Sequence, residues 1–328
     1  MTQLWAAAET WPIRGAFRIA RGAKTSADIV VVTLSENGKA GRGECVPYGR
    51  YGETVASVLA QIESQRLEIE RGLSRTVLQD CLPAGAARNA IDCALIDLEA
   101  KKTGQPAHRL LGLPPPRPVR TAYTLSLDSP QAMGAAAAEA AGKGYGLLKL
   151  KIAGEDDIAR VEAVRRNAPD ARLIVDANEG WNRDALIQFA PALAHLGVAL
   201  IEQPLKAAED DILAGYDSPV PLCADESCHT RADLPRLKTR YTHINVKLDK
   251  AGGLTEAAAL VRAAQSIGLK VMVGCMVSTS LAMAPASLLA SQAAFADLDG
   301  PLLLARDREP AMHYEGDILY PPESALWG

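Results

Sequence analysis

The 328-residue chain reads as an α/β protein, a closed barrel of alternating strands and helices behind an N-terminal α+β unit. Three observations predict this. Beyond residue 118, eight short β-rich segments recur at a spacing of about 22 to 27 residues, with room for a helix in each gap. Before residue 113 the pattern differs, a strand hairpin followed by long helical stretches. Between the two, Pro114, Pro115, Pro116 and Pro118 neither continue a helix nor pair inside a sheet, so they mark a boundary.

In the first unit, taken as residues 1–117, Ile29 to Leu34 is an apolar, β-branched run. The turn Glu36-Asn37-Gly38-Lys39 and a second run toward Cys45 follow it. An Asn-Gly pair between such runs predicts a hairpin. Helices are expected over roughly Glu53–Arg71 and Ala84–Lys102, the second closed by Gly104.

The second unit, 118–310, carries strands over Thr121–Leu127, Leu147–Ile152, Arg172–Ala177, Val198–Gln203, Pro221–Asp225, His243–Leu248, Lys270–Cys275 and Ala294–Leu298. The intervening helices include Leu254–Ile267, with Gly268 placed to end it. Strand-helix alternation means a parallel sheet, and eight such strands fit a closed barrel better than an open, doubly wound sheet, the alternative. Gly142-Lys143-Gly144-Tyr145-Gly146 ends a helix and precedes a strand, the reverse of a dinucleotide loop. The stretch is short for a barrel, so its loops must be short. Residues 311–328 are expected to return to the first unit through a hairpin around Glu315-Gly316-Asp317.

Composition narrows the function. Hydrophobic residues at 48% and charged residues at 23% are those of a globular protein rather than a disordered one. No apolar run is long enough to span a bilayer. A net charge of −4 argues against nucleic acid as partner and leaves a small molecule. The six cysteines are scattered without a CxxC pair, and Cys223, Cys228 and His229 lack the second half of a zinc site. The N-terminus has no basic segment ahead of a long apolar core, so a cytoplasmic location is expected.

Charged residues then fall where strands should be apolar. Lys149 and Lys151 share one face of the second barrel strand, because side chains alternate along a strand. Lys151, Asp176, Glu202, Asp225 and Lys247 are separated by 25, 26, 23 and 22 residues, one strand-helix unit each. That places all five at equivalent heights around one rim, at the C-terminal strand ends where barrel active sites lie. Any one of them alone is a solvated strand end. Five in step are not, because isolated buried charges cost several kcal/mol each. Three converging carboxylates without His or Cys point to Mg²⁺, with Mn²⁺ as substitute. The lysines bracket that metal from opposite sides of the ring. A neighbouring cation lowers a lysine pKa, as a general base requires, and the metal stabilises the enolate left when a proton leaves carbon beside a carboxylate.

The motifs KLK (149–151), VDAN around Asp176, EQP at Glu202, ADES around Asp225 and NVKLDKAGG around Lys247 resemble the muconate-lactonizing branch of the enolase superfamily. More narrowly, GECVPYGRYGE (43–53), LPAGAARNAIDCALIDL (82–98), CADESCHTR (223–231), GCM (274–276) and FADLDGP (295–301) resemble the L-Ala-D/L-Glu epimerases of the enterobacterial, murein-recycling type. The resemblance covers essentially the whole chain. It implies a (β/α)7β TIM-like barrel under an α+β capping domain, and an Mg²⁺-dependent epimerase acting on an acidic dipeptide. Lys151 and Lys247 would be the two bases, and Asp176, Glu202 and Asp225 the metal ligands.

In that family the Asp297-Leu298-Asp299 carboxylates bind the dipeptide's free N-terminus, and Thr124 and Cys275 hold rim positions that contact substrate. Lys149 is expected to hold the substrate carboxylate. Arg18, Arg21 and Lys24 lie where the family's cap reaches over the barrel, and one of them, Lys24 foremost, could pair with the Glu side chain. Cys275 has no His partner in this map and is not expected to be a nucleophile. Other readings stay open: an o-succinylbenzoate synthase, a muconate cycloisomerase, or a non-catalytic anion-binding protein. The sequence leaves room for a homo-oligomer.

Overall fold

The computed structural model describes residues 1–328. The chain opens with an antiparallel sheet of β1 (Gln3–Ile19), β2 (Gly22–Glu36) and β3 (Lys39–Cys45). The β2–β3 hairpin turns on Asn37 and Gly38, both left-handed (φ 51° and 74°), and it pairs Glu36 with Lys39. The 17-residue β1 is the element that the sequence hides. It is an exposed edge strand rich in alanine, with Pro12 where its register against β2 shifts, and such residues carry little strand signal.

The helix Ala86–Thr103 lies across this sheet and ends at the left-handed Gly104 (φ 69°). Gly41 and Gly43 of β3 permit its close approach. A Cβ at Gly43 would lie 2.1 Å from the Ala90 carbonyl oxygen, and one at Gly41 would lie 2.3 Å from that of Ala94. The single helix expected over Glu53–Arg71 is two, Val55–Ser64 and Arg66–Glu70, parted at Gln65. Thr54 caps the first by accepting from the Ser57 N–H while Ser57 accepts from the Thr54 N–H.

After the proline stretch comes the short β4 (Val119–Arg120), then the barrel strands. These are β5 (Tyr123–Leu125), β6 (Leu147–Lys151), β7 (Arg172–Asp176), β8 (Val198–Glu202), β9 (Leu222–Ala224), β10 (His243–Val246), β11 (Lys270–Gly274) and β12 (Phe295–Asp297). All eight expected strands are present, parallel and in sequential order. A parallel bridge between Thr121 and Ala296 joins the two ends, which decides for a closed barrel over an open sheet. The spacing leads one to expect a helix in every gap, but full helices do not fill all of them. Only a four-residue 3₁₀ turn (Asp210–Leu213) follows β8, and only short turns, up to Leu234–Leu237, follow β9. This is how the barrel fits so few residues.

Alternation then sets the site. Leu147, Lys149 and Lys151 share the inward face of β6. Leu147 joins Ala122, Ile174, Leu200, Cys223, Met272 and Phe295 in an apolar plug, while Leu148 and Leu150 pack outward into the main core. The lysines therefore stand above a sealed floor. At the C-terminus β13 (Tyr314–Glu315) and β14 (Ile318–Leu319) form a hairpin that pairs with β4. The last residues reach the cap, where Trp327 Nε1 donates to the Arg42 carbonyl at 3.0 Å and Gly328 N to Asp97 at 2.7 Å. No helix is long and apolar enough to cross a membrane.

Candidate active site

The five rim residues do not stand at one height. Lys151 pairs in register with Asp176, and Asp176 with Glu202. Glu202 then pairs with Cys223, so Asp225 stands two residues higher, and the β9–β10 register raises Lys247 two further. A closed barrel needs such a stagger, and steps of two leave every side chain on the inner face. Equal spacing along the sequence cannot reveal it.

The staggered ends bring Asp176, Glu202 and Asp225 together. All three are buried, and a carboxylate oxygen from each lies within 4.8 Å of the others. Lys149 Nζ sits 2.7 Å from Glu202 Oε2, 3.2 Å from Asp176 Oδ2 and 2.8 Å from Asp297 Oδ2. Lys151 donates to Asp176 Oδ2 at 2.5 Å, and Lys247 to Asp225 Oδ2 at 2.7 Å.

Charges follow from this packing. Burial works against an ammonium at Lys149, but Asp297, Glu202 and Asp176 outweigh it and hold the group protonated well above the ordinary lysine range. Burial likewise opposes Lys247, and Asp225 overcomes it. Carboxylates are the nearest partners of both lysines. Asp176 is depressed to about 2, since Lys151 and Lys149 outweigh its burial. Glu202 is pushed up to about 7 by burial and by Asp176. Three buried carboxylates that converge their oxygens on one place are a donor set that suits a hard divalent cation such as Mg²⁺.

A cavity of about 360 Å³ opens over this cluster, between the barrel rim and the cap. Lys149, Lys151, Lys247, Thr124, Cys275, Asp297 and Asp299 line its barrel side, and Lys24, Arg21 and Tyr48 its cap side. Asp297 ends β12, and its Oδ1 is buried with no hydrogen-bond partner. Asp299 lies just beyond the strand and accepts from the Thr124 N–H at 2.6 Å. Burial and the adjacent Asp297 push its carboxyl up to about 7. Burial holds the Cys275 thiol well above its ordinary range, which suits a wall rather than a nucleophile.

The structure separates the three basic candidates of the cap. Arg18 points outward to an exposed pair with Asp128 at 3.4 Å. Arg21 is occupied by Glu226 (2.7 Å), the Asn178 carbonyl (2.7 Å) and the Tyr48 hydroxyl (3.1 Å). Lys24 makes no ion pair; its ammonium lies 5.5 Å from the centre of the Tyr48 ring, at the cavity wall. Sequence reasoning missed Glu226, Asn245 and Lys250, all buried beside the triad. All three stand within the quoted motifs, so their proximity was available, but their partners were not.

Comparison with known proteins gives the family. Residues 132–321 match the enolase C-terminal domain-like family, and residues 1–112 match the mandelate racemase / muconate lactonizing enzyme N-terminal domain. The L-Ala-D/L-Glu epimerase of Escherichia coli (strain K12) is 50% identical over 306 residues, 93% of this chain and 95% of that protein. The chain belongs to the dipeptide epimerase family of the enolase superfamily. This epimerase-family chain is also 47% identical to an N-acetyl-D-glutamate racemase of a Pseudoalteromonas species, over 92% of this chain and 95% of that protein. An enolase family member from Agrobacterium tumefaciens, with homology to dipeptide epimerases, superposes with a TM-score of 0.97 at 50% identity. The match covers 100% of both chains, and that structure holds sodium and L-Ala-L-Glu with an ordered loop. As a member of this family the chain is an isomerase.

Proposed function

We propose that the enzyme interconverts L-Ala-D-Glu and L-Ala-L-Glu by moving the proton on the Glu α-carbon. Asp176, Glu202 and Asp225 would hold Mg²⁺, which when bound supplies positive charge beside the substrate carboxylate and so acidifies the adjacent carbon. Lys149 holds that carboxylate. Lys151 accepts the α-proton of one diastereomer as a neutral amine, and the electron pair left behind passes into the neighbouring carboxylate. Lys247, as an ammonium, returns a proton to the opposite face. The reverse reaction exchanges the two roles. Asp297 and Asp299 receive the dipeptide ammonium, and Lys24 receives the side-chain carboxylate. Thr124 and Cys275 shape the walls.

One observation carries the substrate assignment. The cavity has an acidic pair with an unpartnered buried oxygen at one wall and an unpaired ammonium at another. A molecule with a free amine and a distal carboxylate complements both. The similarity to an N-acetyl-D-glutamate racemase favours a second reading, in which the amine is acylated and Asp297 and Asp299 are left without a cation. With the dipeptide substrate comes a role in the recycling of murein peptides in the cytoplasm.

The test is NMR of L-Ala-L-Glu and, separately, N-acetyl-L-glutamate in D₂O with enzyme and Mg²⁺. Deuterium at the Glu α-carbon with growth of the other diastereomer is expected for the dipeptide. Exchange of N-acetylglutamate alone would support the second reading. An unchanged spectrum for both under saturating metal would reject both.

A further inference from the structure

Each carboxylate of the triad has one oxygen facing the lysines and one held from behind. Asp176 Oδ1 accepts from the Asn178 N–H at 2.9 Å. Glu202 Oε1 accepts from Asn245 Nδ2 at 2.7 Å. Asp225 Oδ1 accepts from Lys250 Nζ at 2.6 Å. The remaining oxygens, Asp176 Oδ2, Glu202 Oε2 and Asp225 Oδ2, are those that Lys149, Lys151 and Lys247 contact. A carboxylate pinned at one oxygen cannot rotate to offer the other.

Two of the pins are side chains with no substrate-facing task. Asn245 is fully buried, and it has room because β11 carries Gly274, where a Cβ would stand 2.5 Å from Asn245 Oδ1. Lys250 lies on the single helical turn after β10 and reaches back to the end of β9. Besides Asp225 Oδ1 it donates to the Asn245 carbonyl at 3.0 Å and to the Asp225 carbonyl, so all three ammonium hydrogens are used. Its turn is clamped from the cap, where Arg88 donates to the carbonyls of Ala251 (2.7 Å) and Gly252 (3.0 Å). The buried ammonium thereby ties two neighbouring strand ends at a set separation.

We propose, resting on the Mg²⁺ reading above, that Asn245 and Lys250 are positioning residues that fix which oxygens of Glu202 and Asp225 face the metal. Fixed oxygens matter most for a small cation that demands near-ideal octahedral geometry, and less for Ca²⁺, which accepts loose and varied coordination. The pins therefore act on metal selectivity as well as affinity. A bystander ammonium would act differently. By its charge alone it would weaken both ions together.

The test titrates wild type, Lys250→Met and Asn245→Leu with Mg²⁺ and with Ca²⁺ by calorimetry, without substrate. Circular dichroism and thermal unfolding report the fold. Loss of such outer partners commonly costs 10- to 100-fold in metal affinity. A loss of about that size is expected for Mg²⁺, with a smaller loss for Ca²⁺, so that the preference shifts toward Ca²⁺. Tighter binding of both ions by Lys250→Met would show a purely electrostatic role and overturn its positioning one. Unchanged dissociation constants in both variants would overturn the proposal outright. Wild type that binds neither ion would instead remove the metal reading itself. If Lys250→Met does not fold, Asn245→Leu carries the same test on Glu202.

Discussion

Arg21 Nη2 stands 2.7 Å from Glu226 Oε1, joining the tip of the cap's first hairpin to the residue that follows Asp225. The same guanidinium donates to the Asn178 carbonyl and the Tyr48 hydroxyl. Nearby, Arg50 forms a two-bond pair with Glu179 at 2.8 Å for each bond. The cap is thus fastened over the cavity by cations of its own and carboxylates of the barrel.

Arg21→Ala should loosen that fastening without touching a reacting atom. It leaves Glu226, only 2% exposed at its side chain, without its cation. A hydrogen bond to a charged group contributes about 1.5–3 kcal/mol, and about 1.4 kcal/mol is tenfold in an equilibrium. KM should rise at least about tenfold while the rate of α-proton exchange at saturation changes less. An unaltered KM would show that the pair does not govern closure.

The two lysines should divide the reaction by diastereomer. Lys151→Ala should block exchange of the α-proton from L-Ala-D-Glu while leaving some washout from L-Ala-L-Glu, and Lys247→Ala should show the mirror pattern. Removing a positioned general base typically costs about 10²- to 10⁴-fold. Both variants should lose full epimerisation, since one arm of the relay is cut. NMR in D₂O on each pure diastereomer checks it, and equal exchange of both substrates in both variants would refute the two-base scheme.

Lys24→Met should separate acidic from neutral dipeptides. The variant keeps the length of the side chain and removes the ammonium that lies at the cavity wall. Loss of one charge-assisted hydrogen bond predicts a fall of about 10- to 100-fold in kcat/KM for L-Ala-L-Glu. A neutral dipeptide such as L-Ala-L-Leu should fall far less or gain. Parallel losses on both substrates would remove Lys24 from the side-chain site.

The seam between cap and barrel should make stability depend on pH. Asp249 Oδ1 accepts from the Val46 N–H at 3.0 Å and from Asn89 Nδ2 at 2.9 Å, both on the cap. Burial pushes its carboxyl up to about 7, against an ordinary value of 3.8. The folded state therefore keeps this proton through a range where the unfolded chain has released it. Stability contributed by the neutral acid is complete below the unfolded value and is lost as pH rises from about 4 to 7. Asp249→Asn keeps an oxygen acceptor and cannot ionise. Relative to wild type it should gain stability over that window, by an amount on the order of a few kcal/mol, and then plateau. Urea unfolding of both proteins at pH 4.5 and 8 measures the change, and a pH-independent difference would count against it.

Much of this molecule is visible in one dimension. Asn37-Gly38 announces a hairpin because only left-handed residues close that turn, and the eight β-rich runs announce eight strands. Alternation along a strand is a local property, so Lys149 and Lys151 could be assigned to one face without any knowledge of the fold. Spacing by one strand-helix unit likewise brought Asp176, Glu202 and Asp225 to successive strand ends. What spacing could not supply was the stagger, because register is set when Thr121 meets Ala296 and the sheet closes on itself. The same closure decides that Asn245 faces Glu202 and that Lys250 reaches Asp225. Docking of the cap on the barrel likewise brings Arg21 to Glu226, far along the chain, rather than to a substrate. Neighbours in a strand are dictated by covalent geometry, whereas partners across strands exist only once the whole ring has formed.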